Sequence, residues 1–377
     1  MNRPYATLME TTLSLEGATT MLNRAEADAF ESLPEFFDLN QDRLDQIRGA
    51  LRQKPSIPLE YHPDWLPNSV HSKHAMRLLS CIFGAELRLA IHRREFERAC
   101  EIAIDGLDLA NAMRRGGLLL DAVFSNGCSG DIHGLLVNIR SQLSAKERSW
   151  LIDELSRIDS ERESFASIEE RDKKWEGIVG SFTPEDREID RLMDELEAGG
   201  EIFGDEHRRG APTEGLRALM KEHFKFGKAG QRRGAPLEVQ RALMKEVYEA
   251  ERKSTPVEVT RMRMLEADLC ELCVMRLLAA DLRVRSYKEE QGSYPESLEQ
   301  LKACGKVDWP IDPCTGKPFL YRKTDEVGVL KSREKGFDLY SPGPKAIDRG
   351  GVFGGWNQVT SGEADLCLDW ANYETSE

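Results

Sequence analysis

The chain has 377 residues, of which 40% are hydrophobic and 31% are charged. This balance is typical of a globular protein and excludes wholesale disorder. The formal net charge of -14 argues against a general nucleic-acid binder and against an anionic membrane surface as the main partner, because both require an excess of Lys and Arg.

The N-terminus and the hydropathy pattern bear on location. The first residues do not combine a basic stretch with an apolar run, so no secretory signal is predicted. No window approaches the ~18 uninterrupted apolar residues that a transmembrane helix needs. The expected location is cytoplasmic; an extracytoplasmic location is the alternative if the true start lies upstream of Met1.

The first half of the chain is predicted to be helical. Residues 1–68 form an irregular helical N-terminal segment, in which a run of prolines at 55–67 indicates an extended connector. Residues 69–180 are predicted to form a helical-hairpin domain of antiparallel, tetratricopeptide-like pairs. Ser144 and Glu147 have the spacing of a capping box, and the segment 126–130 (Asn-Gly-Cys-Ser-Gly) is predicted to interrupt one helix.

One helix of this domain shows a clear apolar stripe. Its predicted span is about 94–115, and its apolar residues recur at the i, i+3, i+4, i+7 spacing of a single buried face. They are Phe96, Ala99, Cys100, Ala103, Leu107 and Ala110.

Residues 181–255 are predicted to be a polar linker region with a 24-residue duplication. The sequence Arg208-Arg209-Gly210-Ala211-Pro212 recurs at 232–236. Each copy opens a short amphipathic segment with Pro, which is favoured in the first turn of a helix.

Residues 256–372 are predicted to form a long helix followed by a small antiparallel sheet. The helix runs from Thr255-Pro256 to about Glu290, and strands are expected at 318–323, 327–332, 336–341 and 364–370. Three helix residues are expected to be buried against four sheet residues: Leu272, Met275 and Leu282 against Phe319, Tyr321, Phe337 and Leu339.

Several short motifs in this tail occur in a specific order. They are Gly292-Ser293-Tyr294-Pro295, then Asp312-Pro313 with Gly316 and Tyr321, then Leu339-Tyr340-Ser341-Pro342-Gly343, then Asp348 and Asp365. In this order, residues from about 257 to 370 resemble the C-terminal domain of type II secretion major pseudopilins. The whole chain looks like uncharacterised bacterial helical proteins that carry such a tail.

The resemblance implies a small α+β pseudopilin-like domain with a calcium ion in the loop before the last strand, residues 342–365, which we call the acidic loop. The acids left for such a site are Asp348, Glu363 and Asp365. Lys345 and Arg349 lie in the same loop, and their positive charges oppose the binding of a cation. Calcium takes six to eight oxygen ligands. The alternative is a self-stabilised loop in which these two cations pair with the carboxylates. Apart from this calcium, no cofactor is expected.

Four cysteines leave a second set of alternatives open. Cys270 and Cys273 have C-x-x-C spacing, and with Cys304 and Cys314 they could form a four-thiolate zinc site. A second hypothesis is a disulfide between Cys304 and Cys314, and a third is that the cysteines are free thiols. The long helical pattern around Cys270 favours free thiols over a zinc knuckle.

The sequence contains no phosphate-binding loop and no dinucleotide fingerprint. We therefore predict a non-enzymatic protein-interaction or assembly protein, a helical scaffold with a protein partner and no assigned catalytic residue. The alternative is a hydrolase-type enzyme with its site between the helical body and the C-terminal acidic loop.

Overall fold

The computed structural model describes six stretches of the chain: 3–15, 33–62, 65–179, 257–303, 310–324 and 336–369. The duplicated segment, the strand predicted at 327–332 and Cys304 lie outside these described residues. No helix of the described stretches is long and apolar enough to cross a membrane.

The described chain is mainly helical, with a small antiparallel sheet near its C-terminal end. The helices are α1 (Arg3–Leu13), α2 (Leu33–Leu51), α3 (Trp65–His92), α4 (Phe96–Arg114), α5 (Leu119–Ile139), α6 (Ala145–Glu161), α7 (Phe165–Val179), α8 (Val257–Gln291), α9 (Leu298–Ala303) and α10 (Trp356–Ser361). The strands are β1 (Leu320–Lys323) and β2 (Phe337–Tyr340), paired with Leu320 opposite Tyr340. This confirms the predicted fold class at that level. The tetratricopeptide-like and pseudopilin-like arrangements stay predictions.

Two predicted boundaries differ from the structure. The expected strand at 364–370 is reduced to isolated bridges, Ser341 with Leu366 and Phe353 with Asp365. Helix α3 begins at Trp65, so the last residues of the predicted connector are helical. Pro67 is tolerated there because first-turn amides have no intrahelical partner.

Helices α4 and α5 pack closely because small residues line their contact. A Cβ atom added to Gly106 of α4 would lie 2.9 Å from Cδ1 of Ile132 on α5, and the Ser125 hydroxyl of α5 donates to the Ala110 carbonyl of α4 at 2.7 Å. The predicted interruption at 126–130 is wrong, since α5 runs through it. Tertiary packing outweighs the poor helix propensity of glycine, about 1 kcal/mol per residue.

Two other predictions for the helical body, which we define as α1–α7, are confirmed. The apolar stripe of α4 is buried from Ala99 to Ala110, with Phe96 half-buried at its start. The capping box at the start of α6 is formed: the Glu147 N–H donates to the Ser144 hydroxyl at 3.3 Å, and the Ser144 N–H donates to the Glu147 carboxylate at 2.6 Å.

One continuous hydrophobic core joins the helical body to the C-terminal unit, which we define as the described residues from 257 to 369. This core includes residues from Tyr5 of α1 to Leu368. Helix α8 passes through it and contacts α5, α6 and β2. The two parts of the molecule therefore share their buried apolar surface.

The predicted contact of α8 with the sheet is correct for some residues only. Met275 and Leu282 of α8 are buried, as are Phe319 and Leu339. Leu272 is half-buried, so the expectation that it would be fully buried is wrong. Tyr321 and Phe337 are also half-buried; their rings stack with centroids 5.8 Å apart. Leu272 packs against the edge of the core, whereas Met275 lies inside it.

A tyrosine before the sheet covers a glycine at the start of β2. A Cβ atom added to Gly336, whose φ is 155°, would lie 2.0 Å from the Tyr294 ring. The same ring lies 5.0 Å from that of Phe337, centroid to centroid. Gly336 thus allows a close approach that any side chain would block.

A buried ion pair ties α8 to the helical body. The guanidinium of Arg114, which is 0% exposed, donates to both carboxylate oxygens of Asp268 on α8, one of them at 3.0 Å. Arg162 donates to the same carboxylate at 2.8 Å. Burial alone would raise the pKa of Asp268, but the two guanidinium groups outweigh it and hold that pKa below its ordinary value.

We predict that Asp268→Ala strongly destabilises the fold. It leaves the guanidinium of Arg114 buried without its carboxylate, and breaking a buried pair in this way costs about 3–5 kcal/mol. The measurement is the free energy of unfolding in urea. The control is Glu97→Ala, which breaks the exposed pair with Lys146 and should leave the unfolding midpoint unchanged. Equal midpoints for the two variants would contradict this prediction.

Candidate functional site

The acids predicted to bind calcium are bonded to amides of their own loop. Asp365 is fully buried; its Oδ1 accepts from the Arg349 N–H at 3.0 Å and its Oδ2 from the Gly351 N–H at 2.8 Å. Asp348 accepts from the Gly350 N–H at 2.7 Å. Burial raises the pKa of Asp365, and these amide bonds act in the opposite direction.

The cations of this loop do not pair as predicted. Lys345 pairs with Glu266 on α8, and Arg349 donates from Nε to the Gly362 carbonyl at 2.9 Å. Pairing of these side chains with the loop acids was therefore the wrong expectation. Backbone amides, and not these two side chains, bind the loop carboxylates, because a loop with consecutive turns directs its N–H groups inward.

The third predicted acid stands apart from the other two. The side chain of Glu363 is exposed. Within the described stretches, no group of three donor atoms lying within 4.8 Å of one another includes Asp348, Glu363 or Asp365. The structure thus does not bring the three acids together.

A different cluster forms where α8 meets the segment before β1. Cys270 and Cys273 lie one turn apart on α8, and both are fully buried. Cys314 and Asp312 come from the turn that precedes β1. The Cys273 sulfur, an Asp312 carboxylate oxygen and the Cys314 sulfur all lie within 4.8 Å of one another. We call Cys270, Cys273, Asp312 and Cys314 the thiol–carboxylate cluster.

Asp312 organises this turn. Its carboxylate accepts from the Cys314 N–H at 2.8 Å, from the Thr315 hydroxyl at 2.9 Å and from the Ser341 hydroxyl at 3.0 Å. The Cys273 thiol lies 3.9 Å from its Oδ1. Four contacts from three parts of the chain therefore hold one carboxylate against the thiols.

The three thiols differ in acidity because they contact one another. The neighbouring Cys270 and Cys273 thiols lower the pKa of Cys314 well below its ordinary value. The neighbouring Cys314 thiol and burial raise the pKa of Cys270, and burial and the Cys314 thiol raise the pKa of Cys273. Cys314 is therefore the most acidic of the three thiols.

The sequence contained only part of this signal. The C-x-x-C spacing pointed to Cys270 and Cys273, and Cys314 was named with them. Asp312 appeared only in the Asp312-Pro313 motif of the resemblance and was not predicted to lie near the cysteines. The missed signal is the two-residue spacing from Asp312 to Cys314, which lets the carboxylate accept the cysteine's amide and brings both groups to the same side of the turn.

The comparisons with known proteins found no match. No protein-family model matches the chain, and no curated protein or solved structure shows significant similarity to it. The resemblance to pseudopilins rests on the sequence motifs.

We predict that excess calcium leaves the thermal unfolding midpoint unchanged relative to chelator. The carboxylate of Asp365 already accepts two amide N–H groups, so binding an ion would require breaking those bonds. A bound ion at 100-fold saturation would stabilise the fold by about 2.7 kcal/mol, which a thermal scan detects easily. A clear calcium-dependent rise would contradict this and would restore Asp348 and Asp365 as ligands.

We predict that Cys314 is alkylated by iodoacetamide at a rate nearly independent of pH between about 6 and 8. The reactive form is the thiolate, and an ordinary thiol with pKa ~8.5 slows about tenfold per pH unit below its pKa. The measurement is peptide mass mapping of reduced, chelator-treated protein. The same cysteine in denaturant is the control and should show the ordinary slope. An ordinary slope in the folded protein would refute the lowered pKa.

Proposed function

We propose that the chain is a non-enzymatic assembly protein whose long helix α8 pairs with the α8 of a second copy. The helical body acts as a scaffold, and the C-terminal unit is taken to be pseudopilin-like on the basis of its motifs. The observation that carries this proposal is an apolar stripe on α8 that the described chain does not fully cover.

The stripe consists of Met262, Leu265, Leu269 and Leu272. Their spacing of three, four and three residues is that of the a and d positions of a coiled coil, which place apolar side chains along one seam. Met262 is 50% exposed and Leu265 is 37% exposed, while the last two are half-buried. The stripe thus begins in solvent and ends at the core.

A second copy suits this surface because the stripe is self-complementary. In a two-fold contact the same patch lies on both sides, and apolar side chains face apolar side chains. The net charge of -14 opposes association at long range. Salt screens that repulsion over about 10 Å at 0.1 M and leaves the apolar contact intact, so association should strengthen as salt increases.

The alternative of a hydrolase-type enzyme has less support. It requires carboxylates facing a cleft between the helical body and the acidic loop. Asp348 and Asp365 instead hold amides of that loop, and the described part of the structure gives neither of them a histidine partner.

The test is the oligomeric state measured by light scattering during size-exclusion chromatography. Wild-type protein should form a dimer that becomes tighter with salt. Met262→Glu/Leu265→Glu should be monomeric with an unchanged circular dichroism spectrum. The matched control is Leu39→Glu, since Leu39 of α2 is 58% exposed and lies outside the stripe; it should still dimerise. A monomeric wild type, or a monomeric Leu39→Glu, would overturn the proposal.

A further inference from the structure

We propose that Cys270, Cys273, Asp312 and Cys314 form a tetrahedral binding site for one soft divalent cation of the zinc class. The bound ion would fasten the turn before β1 to helix α8. This role is separate from assembly through the α8 stripe.

The spacing of the donor atoms fits such a site. In tetrahedral zinc centres the Zn–S distance is ~2.3 Å and the Zn–O distance ~2.1 Å, which puts neighbouring donor atoms about 3.5–3.8 Å apart. The Cys273 sulfur, an Asp312 oxygen and the Cys314 sulfur already lie within 4.8 Å of one another. Cys270, fully buried one turn earlier on the same face of α8, is the fourth donor in this proposal.

Each half of the site is held by rigid local structure. Cys270 and Cys273 are three residues apart on a helix, so their side chains share one face. Asp312 and Cys314 are fixed to each other by the hydrogen bond from the Cys314 N–H. The proposed site therefore joins two locally fixed pairs, one on helix α8 and one on the turn before β1.

The surroundings supply the outer support that metal ligands usually have. Asp312 also accepts hydrogen bonds from the Thr315 and Ser341 hydroxyl groups, and Ser341 is fully buried. Such outer-shell bonds orient a carboxylate ligand, and losing one typically costs about 10–100-fold in metal affinity. Ser341 is thus a positioning residue.

The chemistry of the donors selects the ion. Thiolates favour zinc and related soft ions, whereas calcium and magnesium prefer sets of oxygens alone. Binding would convert the three thiols to thiolates and release their protons, and the divalent ion would offset two of the four negative charges of the ligand set. The acidic loop and the thiol–carboxylate cluster would therefore respond to different metals.

The first experiment titrates reduced, metal-free wild-type protein with Co²⁺ and then with Zn²⁺. We expect one equivalent of Co²⁺ to bind, with the sulfur-to-cobalt charge-transfer band and the intense visible bands of tetrahedral thiolate coordination. Zn²⁺ should then abolish both signals by displacement. Wild-type protein with all thiols reduced that binds neither ion at micromolar concentration would overturn the proposal.

Variants assign the ligands. Cys314→Ser should remove the charge-transfer band and weaken Zn²⁺ binding by more than about 100-fold, and Ser341→Ala should weaken it by about 10–100-fold. The matched control is Cys367→Ala, a buried cysteine of the same unit outside the cluster, which should bind normally. Circular dichroism confirms that each variant is folded.

The fourth ligand is tested by comparing Asp312→Asn with Cys304→Ala. The proposal expects Asp312→Asn to weaken binding and Cys304→Ala to leave it unchanged. If Cys304→Ala abolished binding while Asp312→Asn retained it, the assignment of Asp312 would be overturned. If Cys367→Ala lost binding as completely as Cys314→Ser, the assignment of the whole cluster would be overturned.

Discussion

Burial of the Arg114 guanidinium requires a carboxylate beside it in the core, and Asp268 of α8 supplies that carboxylate. An unpaired charge in this position would cost several kcal/mol, so α8 cannot slide along its axis or rotate by one residue without breaking the pair. Arg162 adds a second guanidinium to the same carboxylate. The register of α8 against the helical body is therefore fixed at one point, and the rest of the C-terminal unit takes its position from there.

The residues that follow Asp268 show the consequence of this fixed register. Glu271, three residues later, accepts at 2.7 Å from Nδ1 of His133 on α5, again inside the core. Cys270 and Cys273 stand between and beside these polar residues, and the Cys273 sulfur lies against the turn that carries Asp312 and Cys314. The Nε2 atom of His133 is buried and finds no hydrogen-bond partner among the described residues, which costs stability. One short stretch of α8 thus carries two buried polar pairs and two thiols.

Local sequence signals predicted those parts of the fold that depend on neighbouring residues. The capping box of Ser144 and Glu147 and the apolar stripe of α4 belong to this class, and both are present. The continuity of α5 did not follow from its sequence, because Gly127 and its neighbours are poor helix formers and only packing against α4 explains the helix. The half-buried state of Leu272 could not be predicted either. Apolar residues occur on most sides of α8, so the sequence pattern does not show which side packs against a neighbouring element.

The acidic loop and the thiol–carboxylate cluster differ in the hydrogen-bond partners that their polar groups already have. In the acidic loop, Asp365 has strong N–H donors from the backbone, and a calcium ion would have to replace them. At the thiol–carboxylate cluster a cation would replace the S–H protons of Cys270, Cys273 and Cys314, and thiols are weak hydrogen-bond donors. Both sites hold a buried carboxylate, but only at Asp312 is it placed against soft ligands. The loop is ordered through its own amides, whereas an ion bound at the thiol–carboxylate cluster would add a link between the turn before β1 and helix α8.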